Sequence, residues 1–219
     1  MDKWELISSA NSDWLTYLFG INFLLFVVCK QRFNQQFFSF LRVIDTPLYF
    51  ASYEERFVLQ QGFIVLTVIF SIVNVALFFG FLLVHYTTTP FDFYTFLILF
   101  GGLSLVVLTR QIILMILSYF FKIHHLVNQY QFRNATYLFR LSFLLYSGLI
   151  FYHFSFNYSP LFLEVLLYVV FLLYILYNVM IYRQFFKVIK EEGLYFILYL
   201  CSLKLSPWLL LFKELNDLL

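Results

Sequence analysis

The sequence predicts an all-α fold, a polytopic transmembrane helical bundle of about six spans. Three observations predict it. Of 219 residues, 63% are hydrophobic and 12% charged, where soluble domains average roughly 45–50% and about 25%. The apolar residues gather in six stretches near the roughly 20 residues that cross a bilayer. Lys and Arg alternate from one side of those stretches to the other. A chain this apolar has too little polar surface to face water, whereas a bilayer makes an apolar exterior the stable one. The stretches and their connections fill residues 1–219 as a single transmembrane domain.

The first span, residues 14–29, is short and is stopped by Lys30 and Arg32. The second, 63–83, has Asn74 as its most polar interior residue. The third, 94–120, is long and carries Arg110, and the fourth, 137–152, has Arg140 in its first turn or two. The fifth, 161–182, has Glu164 near its start, and the sixth, 194–212, has Lys204 near its middle and Pro207 beyond it. Spans one and four sit near the lower length limit, which tilting or a thinner bilayer accommodates.

Basic residues in short loops set orientation. The loops after spans one, three and five hold Lys30, Arg32, Arg42, Arg56, Lys122, Arg133, Arg183, Lys187 and Lys190, nine in all, against Lys3 and Lys213 on the other side. This alternation survives only with six spans, and it predicts three cytoplasmic loops with both termini periplasmic. Two of those loops read as interfacial amphipathic helices. In residues 33–44, Phe33, Phe37, Phe40, Leu41 and Ile44 share a face; in 121–133, Ile123, Leu126, Val127 and Tyr130 follow the helical rule.

An ionisable group at the bilayer centre costs on the order of 3 kcal/mol or more, so each one needs a reason. Lys204 lies roughly 15 Å into its helix and Arg110 about 12 Å from the cytoplasmic end of its span. Both are candidates for contact with a partner's acid or an anionic solute. Arg140 reads as an anchor near the cytoplasmic face. Glu164, about one turn into span five, is the carboxylate that falls within a span and reads as a side chain snorkelling to the outer face. No carboxylate lies near the midplane, which argues against a proton or sodium carrier. Glu54-Glu55, Glu191-Glu192 and His124-His125 are adjacent pairs, not the i, i+4 spacing that builds a metal or acid–base site. His85 and His153 fall at the outer rim. Gly101-Gly102 reads as a packing or bending point in span three.

Cys29 and Cys201 form no disulfide framework. Val28 stands where a lipoprotein cleavage site wants a small residue, and residues 2–13 are net acidic, so the first span is expected to be retained. The abundance of Phe (32) and Tyr (17) with only four Ala fits an A+T-rich genome. A net charge of +2, with scattered basic residues, offers no nucleic-acid surface. No cofactor motif is present, and nothing in the pattern points to an enzyme.

Several segments carry a family resemblance: Asp13-Trp14 opening the first span, the basic-aromatic stretch 30–41, Phe121-Lys122-Ile123 followed by Tyr130, and the last span, Tyr195 to Pro207. Through them nearly the whole chain resembles a family of uncharacterised integral membrane proteins of Bacteroidetes. The family's last segment places an acid where this chain has Lys204, so a carboxylate role there does not carry over. The resemblance implies a Gram-negative inner membrane. It also makes an accessory role in that phylum's protein-export or motility machinery the expectation. The residues themselves lead to a non-enzymatic subunit or assembly factor of a membrane complex, contacting lipids and other subunits. The alternative is a small transporter or channel for an anionic solute that uses Arg110 and Lys204.

Overall fold

The computed structural model describes residues 13–33, 61–87, 91–121, 124–156 and 158–192. The predicted sixth span with Lys204, and the amphipathic stretch 34–44, lie outside the described residues. Among the described residues five helices follow one another: α1 (Asp13–Arg32), α2 (Gln61–Tyr86), α3 (Phe93–Phe121), α4 (His124–Phe154) and α5 (Pro160–Glu192). All five are long and apolar enough to cross a membrane, as a multi-pass membrane protein requires.

Local chemistry sets the helix ends. Lys30 and Arg32 place positive charge in the last turn of α1, where the helix dipole favours it. The Asp92 carbonyl accepts from the Phe96 N–H at 3.1 Å and opens α3. Pro160 is the first residue of α5, a position where its missing N–H costs nothing. Within the spans, polar side chains bond their own helix: Ser71 to the Thr67 carbonyl, Asn74 to Phe70, Thr136 to Phe132 and Ser142 to Leu138.

Ring contacts fix one register for the core. Phe33 meets Phe63, Phe26 meets Phe70, and Asn22 bonds Asn74. Each step back along α1 is matched by an equal step forward along α2, so the two helices are antiparallel. Phe70 touches both Phe139 and Tyr146, and Phe81 touches Tyr152, so α2 and α4 run side by side in the same direction. Tyr137 stacks on Tyr177 and Tyr152 on Phe162, which makes α4 and α5 antiparallel. The core is therefore α1–α2–α4, with α3 packed mainly on α2, and α5 on α4. Burial follows this arrangement: 61% of the apolar window of α4 is buried, against 6% for α3.

One boundary differs from the sequence reading. The stretch 124–133 is the first part of α4, continuous with span four. α3 ends at Phe121 and α4 begins at His124. Of the stripe that suggested a helix lying in the headgroup layer, Val127 and Tyr130 are buried in the bundle. The same amphipathic pattern serves either purpose, and here the neighbouring helices supply the apolar partner.

Two glycines permit close approaches. At Gly148 an added Cβ would lie 2.6 Å from the Leu166 Cδ1, so this glycine is the notch through which α5 seats on α4. At Gly80 it would meet the ring of Phe91. That ring also packs on Trp14 and Phe81, so it has no free direction in which to yield. Gly80→Leu is accordingly expected to cost about 1–3 kcal/mol, the usual penalty for overpacking. Thermal unfolding in detergent checks this, and an unchanged midpoint would refute the close packing of Phe91 on α2.

Candidate functional site: a polar layer between two charged ends

The register places the polar residues in three levels. Lys30, Arg32, Arg110, Arg133 and Arg183 gather toward one end of the bundle, where α1 and α5 finish and α2 and α4 begin. His85, His153 and Glu164 mark the other end. Between them, at one depth, lie Asn22, Asn74 and Tyr146.

In the middle layer the Asn22 Nδ2 donates to the Asn74 Oδ1 at 2.7 Å, and the Asn74 Nδ2 donates to the Phe70 carbonyl at 2.9 Å. The Tyr146 hydroxyl donates to the Phe19 carbonyl at 3.2 Å, tying α4 to α1. Asn22 is 1% exposed and Asn74 fully enclosed. The Asn22 Oδ1 is buried with no hydrogen-bond partner among the described residues. An unpaired buried acceptor costs about 1–3 kcal/mol, so this layer carries an open hydrogen-bonding position. The layer is neutral: beyond Asp13, α1, α2 and α4 contain no Asp or Glu.

Arg110 is half-buried on α3. Its Nη2 donates to the Tyr130 hydroxyl at 2.9 Å, and its guanidinium lies 5.9 Å from the Tyr130 ring. The helix runs on for eleven residues beyond it, about 16 Å. Tyr130 stands six residues into α4, so the guanidinium reaches along its helix toward the basic end rather than toward the midplane. Both of its contacts are with a neutral side chain.

Arg140 lies sixteen residues into α4, not in the first turns of its helix. It is buried, and its guanidinium lies 5.9 Å from the Tyr137 ring. Six residues separate it from Tyr146, so it stands about 9 Å from the middle layer on the basic side. It faces the bundle and not the headgroup layer.

Glu164 is exposed, as a carboxylate one turn into its helix should be, and its Oε1 sits 3.3 Å from the His85 Nε2. An exposed contact of this kind contributes at most about 1 kcal/mol. His153 forms a second contact at this end. Tyr158, in the turn between α4 and α5, adopts a left-handed backbone (φ 61°) and directs its hydroxyl to the His153 Nδ1. Burial pushes the Tyr158 phenol above its ordinary range, which keeps the proton on the hydroxyl. The strained turn is held by the rings of Phe81 and Tyr152.

The sequence reading named Arg110, Arg140, Glu164 and Lys204. The structure places the first three on different helices and at different depths, with different partners, and does not bring them into one site. It adds Asn22 and Tyr146, which the sequence reading did not single out. The one signal for Asn22 was a primary amide eight residues after Trp14 in an apolar run, with no spacing rule to link it to Asn74.

Residues 15–215 match the family described as Domain of unknown function (DUF4271). The chain belongs to this family. No curated protein and no solved structure matches it. Membership in DUF4271 agrees with the resemblance to an uncharacterised family and assigns no activity. Among the described residues of this DUF4271 chain, no three His, Cys, Asp or Glu come together as metal ligands.

Proposed function

We propose that this chain is a non-enzymatic subunit or assembly factor of a bacterial inner-membrane complex, with its basic end in the cytoplasm. The observation that carries the reading is Arg110. Its half-buried guanidinium is met by the neutral hydroxyl and ring of Tyr130 and by no carboxylate among the described residues. Among the described helices it stands on the one that is buried least. A transmembrane or juxtamembrane acid on another subunit would complete its pairing, and an intramembrane cation that lacks an acid is costly enough to favour such a partner.

The exposed face of α3 supports the same reading. Gly101 and Gly102 are exposed on an unbroken helix, with open space where a side chain would be. Ile98, Leu105, Leu108 and Ile112 flank them outward. Small residues let a second helix approach closely in a membrane, where packing rather than the hydrophobic effect drives association. With the Bacteroidetes resemblance, the complexes that fit are that phylum's export and motility machines.

The test is a mild-detergent pull-down of the tagged protein from its native membrane with mass spectrometry, repeated for Arg110→Leu and Lys204→Leu. Stoichiometric membrane proteins are expected with the wild type and reduced recovery with Arg110→Leu. A chain recovered alone, with variants that behave identically, would overturn the subunit reading and leave anionic-solute transport as the next assay.

A further inference from the structure

The outer ends of the helices stand level, but their apolar surfaces do not reach equally far toward the basic end. One run of ring contacts ties the outer level together. Trp14 of α1 packs on Phe91, Phe93 and Phe96 around the start of α3, Phe91 on Phe81 of α2, Phe81 on Tyr152 of α4, and Tyr152 on Phe162 of α5. On α1 the exposed apolar surface ends at Val28, and Lys30, Gln31 and Arg32 are exposed after it. Lys30 is sixteen residues from Trp14, about 24 Å. On α5 that surface runs from Leu161 to Met180, ahead of exposed Arg183, about 28 Å. On α3 it continues to Phe120, 24 residues past Phe96 and 27 past Phe93, about 36–40 Å. An angle of about 20° between packed helices shortens such lengths by only about 6%. So α3 stays apolar about 12–16 Å beyond the level at which α1 turns basic. Ile112, Met115, Ile116, Tyr119 and Phe120 line that extra length on one face, each 50–75% exposed.

The chemistry of this face says what covers it. It continues, without a charge, the exposed stripe that begins at Tyr94. Thr109, an exposed polar residue on the stripe, bonds its hydroxyl to the Leu105 carbonyl at 2.8 Å, as hydrocarbon demands of a group with no outside partner. The hydrocarbon core of a bilayer is about 30 Å thick; α1 falls short of it and α3 exceeds it. Tilting the whole bundle does not reconcile the two, because it would displace the outer ends as well, and those are level. Snorkelling by Lys30 and Arg32 takes up part of the difference, and an interfacial setting for Tyr119 and Phe120 takes up another part. The bilayer itself supplies the rest, since its thickness adapts at a small cost per ångström.

We infer that this chain holds a stepped lipid boundary at its basic end: headgroups rise to Lys30–Arg32 beside α1, while acyl chains follow α3 down to Tyr119 and Phe120. The leaflet at that end is thinnest beside α1, the helix that carries Asn22. The inference goes beyond the subunit reading and stands without it, because it concerns the lipid around the isolated chain.

Spin labels at Gln31→Cys and Ile112→Cys, with Cys29 and Cys201 replaced by serine, test the step in phosphatidylcholine nanodiscs. The two positions are exposed and lie at nearly one level of the bundle. Power saturation against oxygen, which concentrates in lipid, and against a water-soluble nickel chelate reads the depth of each. The label at 112 is expected about 12 Å deeper in hydrocarbon than the label at 31, the length of helix from Ile112 to Phe120. Equal depths would mean a flat boundary and overturn the inference. A label at 112 closed to both reagents would mean that protein covers this face, a second copy or another part of the chain, and would overturn it equally. Met115 gives a reading on the wild type that needs no variant. Brief hydroxyl-radical labelling in the same nanodiscs is expected to leave it protected relative to the unfolded chain. Oxidation of Met115 at the unfolded rate would place that level in water and contradict the step.

Discussion

Phe70→Ala is expected to lower the unfolding free energy of the bundle by about 3 kcal/mol, the lower end of what removal of a buried phenylalanine costs. Phe70 is fully enclosed on α2. Its ring lies within 5.3–6.1 Å of the rings of Phe139, Tyr146 and Phe26, so one side chain joins all three core helices. Lipid tails are as apolar as the interior, so removal of the ring sacrifices little transfer energy. The loss is of dispersion contacts and of a filled volume that three rigid helices cannot close. That is why the expected cost is at the low end and not the high one. The control is Phe171→Ala, at an exposed position on α5, where the cost is expected within about 0.5 kcal/mol. Denaturation in mixed micelles reads both. Equal costs would mean that α1–α2–α4 is not the core.

Much of the architecture is legible in the sequence because the bilayer imposes it. A span must satisfy every backbone group internally, so length and apolarity alone mark a helix. The readings at 63–83, 94–120 and 161–182 fall inside α2, α3 and α5 for that reason. The start of α4 was not legible. Asn128, Gln129, Gln131 and Arg133 make its first turns look like a separate helix on the membrane surface, and the structure shows them continuous with the span. The fate of the charges follows the same division. Glu164 near the outer end could be placed from helix rise alone. The burial of Arg140 could not, because burial depends on which face of α4 turns inward, and the polar residues of α4 do not gather on one face. Asn22 shows the limit most plainly. Its partner is 52 residues away, joined by a register that ring contacts set and no local pattern encodes.

That same pair gives a prediction whose sign is the informative part. Asn74→Leu removes the acceptor that the Asn22 Nδ2 uses, and the Asn22 Oδ1 is already without a partner among the described residues. The single variant therefore leaves a whole buried amide unpaired at the middle of the bundle, expected to cost about 1–3 kcal/mol. Asn22→Leu should cost less. It orphans the Asn74 Oδ1 but also removes the unpaired oxygen, while the Asn74 Nδ2 keeps its bond to the Phe70 carbonyl. In Asn22→Leu/Asn74→Leu both polar groups are gone and two side chains of similar volume fill the space. The double variant is expected to recover much of what Asn74→Leu loses. The coupling read from the cycle should fall near the roughly 0.6 kcal/mol typical of interhelical hydrogen bonds in membranes, with about 1.7 as a ceiling. A double variant less stable than Asn74→Leu would show that the amide layer is a net stabiliser and that the Asn22 oxygen has a donor. A double variant at or above wild type would show the opposite: the layer costs stability, and its retention must be explained by what the bundle binds or assembles with.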